Sequence, residues 1–228
     1  VLSEKIPVAM EGVPFIGIFS MASLIFAVLN LPAPSLVMLS CGLFCLYFFR
    51  DPERVTPVDK NAVISPADGR VIEITSGSEG AIHNSDTLRI SIFMNVFNVH
   101  VNRAPIAGQV LNIRYTEGAF FSADKSKALI KNEKNALHLR DEDGFEITVT
   151  QVAGLIARRI VCWAETNDVL KKGQRFGLIR FGSRLDVYLP KNVSVKVQKG
   201  QKVWAGQTIL CLKNAVERGQ KKEGYDDK

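Results

Sequence analysis

The sequence predicts a mainly β protein, a barrel or sandwich of curled hairpins, with an N-terminal apolar helical hairpin suited to a membrane. Three observations carry this reading. No charged residue occurs from Val13 to Phe49. From Asn61 onward, short β-type runs alternate with Gly and Asp turns. Near the end, Gly200-Gln201 and Gly206-Gln207 form two similar turns, each ahead of an apolar residue.

Pro32 and Pro34 split the apolar run into Val13–Leu31 and Ser35–Phe49. As helices these would be roughly 28 Å and 22 Å long, against a hydrocarbon core of ~30 Å. Lys5 precedes the run, and Arg50 and Arg54 follow it. Positive residues at both ends predict that both ends lie on the cytoplasmic side of a membrane, as in a re-entrant or interfacial hairpin. A signal peptide fits poorly, because the run is too long and no clear cleavage site follows. A hairpin buried in a soluble core is disfavoured, because a chain of 228 residues rarely hides so long an uncharged segment. Residues 1–50 are therefore expected to be an anchor, and 51–228 a β-rich catalytic domain.

The net charge of +6 is modest and spread along the chain. It suits an anionic membrane surface. Without a dense Lys/Arg cluster interleaved with aromatics, nucleic acid is not indicated. Cys41, Cys45, Cys162 and Cys211 form no CxxC pair. Neither a zinc site nor a disulfide framework is indicated, and a reducing compartment is the simple reading.

Pro52 and Pro57 make Asp51–Lys60 an extended linker. Beyond it, strands are predicted at Val71–Ile74, Leu88–Phe93, Val110–Tyr115, Phe145–Val152, Leu185–Leu189, Val193–Val197 and Thr208–Leu212. Asp143-Gly144 reads as a hairpin turn between Leu137–Leu139 and Phe145–Thr150. Ala123–Leu129 reads as a short helix, and the polar tail from Lys213 is expected to fray. Pro66-Ala67-Asp68-Gly69-Arg70-Val71 echoes Pro105-Ile106-Ala107-Gly108-Gln109-Val110 as Pro-x-x-Gly-x-Val. Turns so spaced suit a biotinyl-carrier-like β fold, and on their own say nothing of chemistry.

Chemistry is sought at Ser183, which follows Gly182 and enters the strand Leu185–Leu189. A Gly-Ser pair at that place is usually only a turn. Of the three histidines, His83 lies in a polar loop, and His138 alternates with Leu137 and Leu139, predicting a surface-facing strand position. His100 sits in Val99-His100-Val101-Asn102-Arg103-Ala104-Pro105. Asp68 precedes Gly69 and could be a turn residue alone. Phe120-Phe121 could be core or could dip into lipid.

The stretch from Gly173 to Ser183 resembles the processing-site region of phosphatidylserine decarboxylases, which carry a Gly-Ser bond inside a Leu-Gly-Ser-Thr type motif. Phe181 and Arg184 replace the outer residues, as in the shorter bacterial branch. Ser65-Pro66-Ala67-Asp68-Gly69 resembles the family's Pro-Ala-Asp-Gly motif. Val99–Pro105 resembles its histidine segment, and Asn132-Glu133-Lys134 its Asn-Glu-Arg segment. The apolar segment ending Phe48-Phe49-Arg50-Asp51-Pro52-Glu53-Arg54 also matches the short branch. Longer members carry His-x-x-His where this chain has His100 and Arg103. The second histidine's self-cleavage role cannot pass to Arg103, since a guanidinium does not deprotonate usefully.

The resemblance implies that Ser183 attacks the Gly182 carbonyl, that the chain splits, and that Ser183 becomes a covalent pyruvoyl group. That group would form a Schiff base with phosphatidylserine and act as an electron sink for decarboxylation to phosphatidylethanolamine. His100 and Asp68 are expected near Ser183, the two processed chains are expected to stay associated, and no metal is needed. The competing reading is a non-catalytic, membrane-tethered carrier or binding module on a biotinyl-like β fold. It lacks a Met-Lys-Met attachment site and leaves the setting of Gly182-Ser183 unexplained.

Overall fold

The computed structural model describes residues 7–76, 87–119, 131–154, 159–180 and 183–214. His83, Phe120-Phe121, the helix expected at Ala123–Leu129, Gly182 and the tail beyond 214 lie outside the described residues. The apolar run folds as two helices, α1 (Val13–Val28) and α2 (Pro32–Phe48), each with Pro in its first turn. Proline there costs no hydrogen bond, because the first helical N–H groups have no partner within the helix. Asn30, at φ 55°, reverses the chain between the helices. Val8 bridges Arg50 in antiparallel fashion, and Ala9 N donates to Phe49 O at 2.8 Å, so both ends of the hairpin lie side by side. Ser23 and Ser35 exchange hydrogen bonds with each other's carbonyls, at 3.0 and 2.9 Å, and tie the helices together. No residue of α1 is buried, and Ile18, Met21, Leu24 and Leu36 are exposed. By length and composition Met10–Val28 suffices to cross a membrane, whereas Pro32–Phe48 is shorter.

The rest is β structure. Its strands are β1 (Ala62–Ile64), β2 (Gly69–Ser76), β3 (Thr87–Met94), β4 (Val101–Arg103), β5 (Gly108–Thr116), β6 (Lys134–Arg140) and β7 (Glu146–Ala153). They continue as β8 (Ile160–Cys162), β9 (Val169–Leu170), β10 (Arg175–Ile179), β11 (Ser183–Pro190), β12 (Val193–Val195), β13 (Lys202–Val203) and β14 (Ile209–Lys213). An eight-stranded sheet runs β13-β2-β3-β11-β7-β6-β5-β9, and two three-stranded sheets run β1-β14-β12 and β4-β10-β8. Every pairing between these strands is antiparallel. The β6–β7 hairpin turns at Asp143-Gly144 as predicted, and Gly144 takes φ 81°, a left-handed value that favours glycine.

The Pro-x-x-Gly-x-Val echo is the visible edge of a pseudo-twofold. Ile64 N donates to Pro105 O, and Arg103 N donates to Pro66 O, at 3.0 and 2.9 Å. Gly69 opens β2 and Gly108 opens β5, and each strand bulges just past its echo valine, Val71 or Val110. β13 pairs with the start of β2 as β9 pairs with the start of β5. Gly206 N and Gly173 N donate to Ser65 O and Ala104 O at 2.8 and 2.9 Å. The structural counterpart of the Gly206-Gln207 turn is thus Gly173-Gln174. A Cβ on Gly69 would lie 2.2 Å from Phe93 O, and one on Gly108 2.4 Å from Arg140 O. Both glycines are present because a neighbouring strand passes against them.

Two cores result. The larger packs Val71, Ile90, Ile92, Val110, Leu137, Val149, Leu185, Val187 and their neighbours inside the β domain. The smaller joins Cys45, Phe48 and Phe49 of the hairpin to Val99, Val101 and Leu178. The hairpin root and the β domain therefore share one packed interface.

Candidate active site

Ser183 is the first residue of β11, paired with Met94 of β3 on one side and Ala153 of β7 on the other. It shares a strand face with Leu185 and Val187, and those core residues fix the direction of its side chain. Ser183 is 0% exposed, and its Oγ has no hydrogen-bond partner. A buried hydroxyl left unpaired costs about 1–3 kcal/mol, and Ser183 shares that state with Thr150 of β7.

His100 lies just before β4. Its carbonyl accepts from Ile179 N at 3.4 Å, four residues upstream of Ser183. Its Nδ1 is 2.9 Å from Asn98 O. A carbonyl can only accept, so Nδ1 carries the proton and Nε2 presents a lone pair. Nε2 is buried without a partner. The ring stacks on Phe48 at 4.3 Å, against the last turn of α2. Burial pushes the imidazole down to about 4, and Arg50 adds to the lowering, while the bond to Asn98 opposes it. At neutral pH His100 is an uncharged base.

Asp68 is buried, but its carboxylate does not bond to His100. Oδ1 accepts from Ala205 N at 2.7 Å, and Oδ2 from the Arg54 guanidinium at 2.9 Å. It ties the linker after the hairpin to the turn before β14. Arg103, where longer members carry histidine, is also a clip. Its guanidinium donates to Gly173 O, Pro52 O and Asp51 Oδ1 at 3.1, 2.9 and 3.1 Å. Arg175 pairs with Asp51 and Glu53 as well. His138 corrects an expectation. It does point away from Leu137 and Leu139, yet it is 3% exposed, with Nε2 3.0 Å from Glu146. The alternation held, but both faces of the sheet are covered there.

Sequence reasoning missed the buried amides beside Ser183. Asn135 donates to Gln151 Oε1 at 3.2 Å, and Gln151 Nε2 donates to Asn102 Oδ1 at 2.9 Å. Asn102 Nδ2 lies 3.8 Å from the sulfur of Met94, the strand neighbour of Ser183. Asn132 Nδ2 donates to the carbonyl of Ala153, the other neighbour, at 2.7 Å. Gln151 carried no local signal, since it follows Thr148 and Thr150 in a strand already mixed in polarity. Arg184 and Asp186, on the opposite face of β11, form a buried ion pair at 2.6 Å that the sequence did not suggest either.

A cavity of about 700 Å³ opens next to His100, between the hairpin root, the β3–β4 turn and β13. Arg50, Arg54, Asp68, Arg70, Asn98 and Lys202 line it.

The family model for phosphatidylserine decarboxylase matches residues 41–211, which contain Ser183, His100 and Asp68. Fold, centre and match together define the class of this protein as a decarboxylase. Similar proteins include a phosphatidylserine decarboxylase proenzyme of Desulfotalea psychrophila, 52% identical over 92% of this chain and 98% of that relative. Proteins of the same name from Geotalea uraniireducens and Citrifermentans bemidjiense are 48% and 50% identical, over 92% and 90% of this chain and 98% and 96% of theirs. The chain belongs to the phosphatidylserine decarboxylase family.

Proposed function

We propose that the chain cleaves its own Gly182–Ser183 bond and then, at a bacterial membrane, decarboxylates phosphatidylserine to phosphatidylethanolamine and carbon dioxide. The observation that carries this is the Ser183 hydroxyl, fully enclosed at the head of a central strand and without a hydrogen-bond partner among the described residues. A serine meant for an outside substrate is open to it. One enclosed by its own chain has that chain's carbonyl as its nearest electrophile. The proenzyme relatives support the same reading.

The chain's own groups suffice for cleavage. His100 Nε2, neutral and unpartnered among the described residues, is the candidate base for the proton of Ser183 Oγ as it attacks the Gly182 carbonyl; the two atoms are not hydrogen-bonded before the reaction and must approach for the transfer. The carbon–nitrogen bond breaks, the proton passes to the Ser183 nitrogen, and the peptide becomes an ester. Loss of the Ser183 α-proton expels Gly182 as a carboxylate and leaves a dehydroalanine. Water converts this to a keto acyl group and ammonia. An enclosed site with no ion pair at residue 183 among the described residues fits such a group, which carries neither charge nor a hydrogen-bond donor.

A pyruvoyl group held at residue 183 would supply a ketone for the substrate amine and an electron sink for decarboxylation. Around it, His100 holds or returns a proton at Nε2. Asp68, through Arg54 and Ala205 N, positions the linker that closes the cavity. The apolar hairpin seats residues 51–228 on an anionic, cytoplasmic membrane face, and the strand pairing of β11 keeps the two processed chains together. Denatured wild-type protein is expected to give two masses, for residues 1–182 and 183–228, the smaller without a free amino end. Ser183→Ala is expected to stay whole and inactive. Full activity in an intact 228-residue wild-type chain would overturn the reading.

A further inference from the structure

The cavity beside His100 holds more positive charge than the fold uses. Arg50, Arg54, Arg70 and Lys202 line it, and Asp68 is its one carboxylate. Arg54 is committed to Asp68. The others are held in place without being neutralised. Arg50 donates to Tyr47 O and Phe97 O at 2.7 and 2.8 Å, and Arg70 to Gly200 O at 2.7 Å. The Lys202 ammonium sits 5.5 Å over the Trp204 ring. A guanidinium bonded to one or two carbonyls keeps its full charge and several unused N–H groups. Cations oriented in this way, with no carboxylate partner among the described residues, are suited to an anion from outside.

The rim says what kind of molecule carries that anion. Tyr47, Phe97 and Trp204 line the same cavity and are 46%, 62% and 43% exposed. Large aromatics beside arginines, at the root of an apolar hairpin, belong at the level of lipid headgroups. The cavity lies across β3 from the reacting position: Phe93 and Asn95 line it, while Met94 between them points to the other strand face and pairs with Ser183.

We infer that this recess seats the phosphodiester of a glycerophospholipid headgroup, with Arg50, Arg70 and Lys202 as its donors. Naming that lipid as the substrate rests on the proposed decarboxylation. Phosphate here leaves the headgroup amine free to reach residue 183 past the end of β3, while the acyl chains stay with the hairpin. The recess thus selects phospholipids over free amino acids.

The test uses processed full-length enzyme in mixed micelles and the double variant Arg70→Gln/Lys202→Gln. Loss of two charge-assisted contacts is expected to raise KM for phosphatidylserine by at least about tenfold, with kcat falling less than about twofold. Arg70→Lys/Lys202→Arg is expected to recover most of the affinity. Lys60→Gln/Lys171→Gln removes the same charge from a different cavity, and an equal rise in KM there would overturn the recess. A second readout needs no turnover. In a Trp163→Phe background, soluble glycerophosphoserine is expected to shift Trp204 emission, and the double variant is expected to abolish the shift. Inorganic phosphate is titrated alongside. If it shifts the emission as strongly as the diester, the site takes free phosphate, and the headgroup assignment is wrong. Processed wild-type enzyme that binds the diester but releases no carbon dioxide would sink the proposed function and leave the recess standing.

Discussion

The two halves of the pseudo-twofold place two cavities at equivalent positions, and the cavities differ in how their charges are used. The one around Ala107, Gly108 and Lys171 has about 610 Å³ and gathers Lys60, Arg140, Lys172 and Lys213 with Asp141, Glu142 and Asp143. Three carboxylates offset most of its five cations, Lys171 included. Lys213 pairs with Asp141 at 2.5 Å, Lys60 with Glu142 at 3.7 Å, and the Lys172 ammonium donates to Asp59 O. Around Asp68, Gly69 and Trp204 the same backbone holds cations whose charge is left over. Asp68 stands where its echo has Ala107. The backbone plan sets where a cavity forms, and a few side chains set whether it is closed by its own ion pairs or left ready for a ligand.

That contrast can be broken or sharpened by experiment. The largest difference is expected between the two described histidines. His100→Gln removes the unpartnered base and should slow self-cleavage and decarboxylation by about 10²–10⁴-fold, measured by the rate of fragment appearance and of carbon dioxide release. His138→Gln, on the other face of the sheet, should leave both within about twofold, because its ring is engaged with Glu146 rather than with the centre. Equal losses would remove His100 from its assigned role.

The echo glycines should behave alike in stability and differently in function. Gly69→Ala and Gly108→Ala each push a methyl against a strand carbonyl, at about 1–3 kcal/mol, read from urea midpoints. Only Gly69→Ala, between Asp68 and Arg70, should also raise KM. A KM effect of the same size in Gly108→Ala would dissolve the distinction.

The remaining effect concerns pH. The folded pKa of His100 is depressed to about 4 from 6.5, so between those values the unfolded chain binds more protons. Stability is then fully present above about 6.5 and declines as pH falls toward about 4, by on the order of 3 kcal/mol. In His100→Gln this part of the decline should vanish. A wild-type stability that is flat from pH 7 to 4 would show that His100 is not buried in the neutral form.

Much of the fold was legible because it follows local rules. Uncharged length and paired prolines gave the hairpin. Period-two runs gave the strands, and Asp143-Gly144 gave its turn. The hydroxyl at Ser183 and the motif around His100 were legible as residues to watch. What joins them was not. Ser183 owes its burial to β3 and β7, whose partner positions Met94 and Ala153 lie 89 and 30 residues upstream. The carboxylate of Asp68 is claimed by Arg54 and by Ala205 N, a contact across 137 residues. His138 went wrong for a related reason. Alternation tells which residues share a face, but only the assembled layers tell whether water reaches it.

The stacking of Phe48 on His100 has a consequence for where this protein can work. The residue that keeps the base dry sits in the last turn of the apolar hairpin. A chain clipped after residue 50 would lose Phe48 and Phe49 together, lay Val99, Val101 and Leu178 open, and let water reach the imidazole. Solubility gained in this way would be gained at the cost of the catalytic wall. Hairpin and competence are inherited as one piece, so a fragment cut free of the hairpin is disarmed by the same cut.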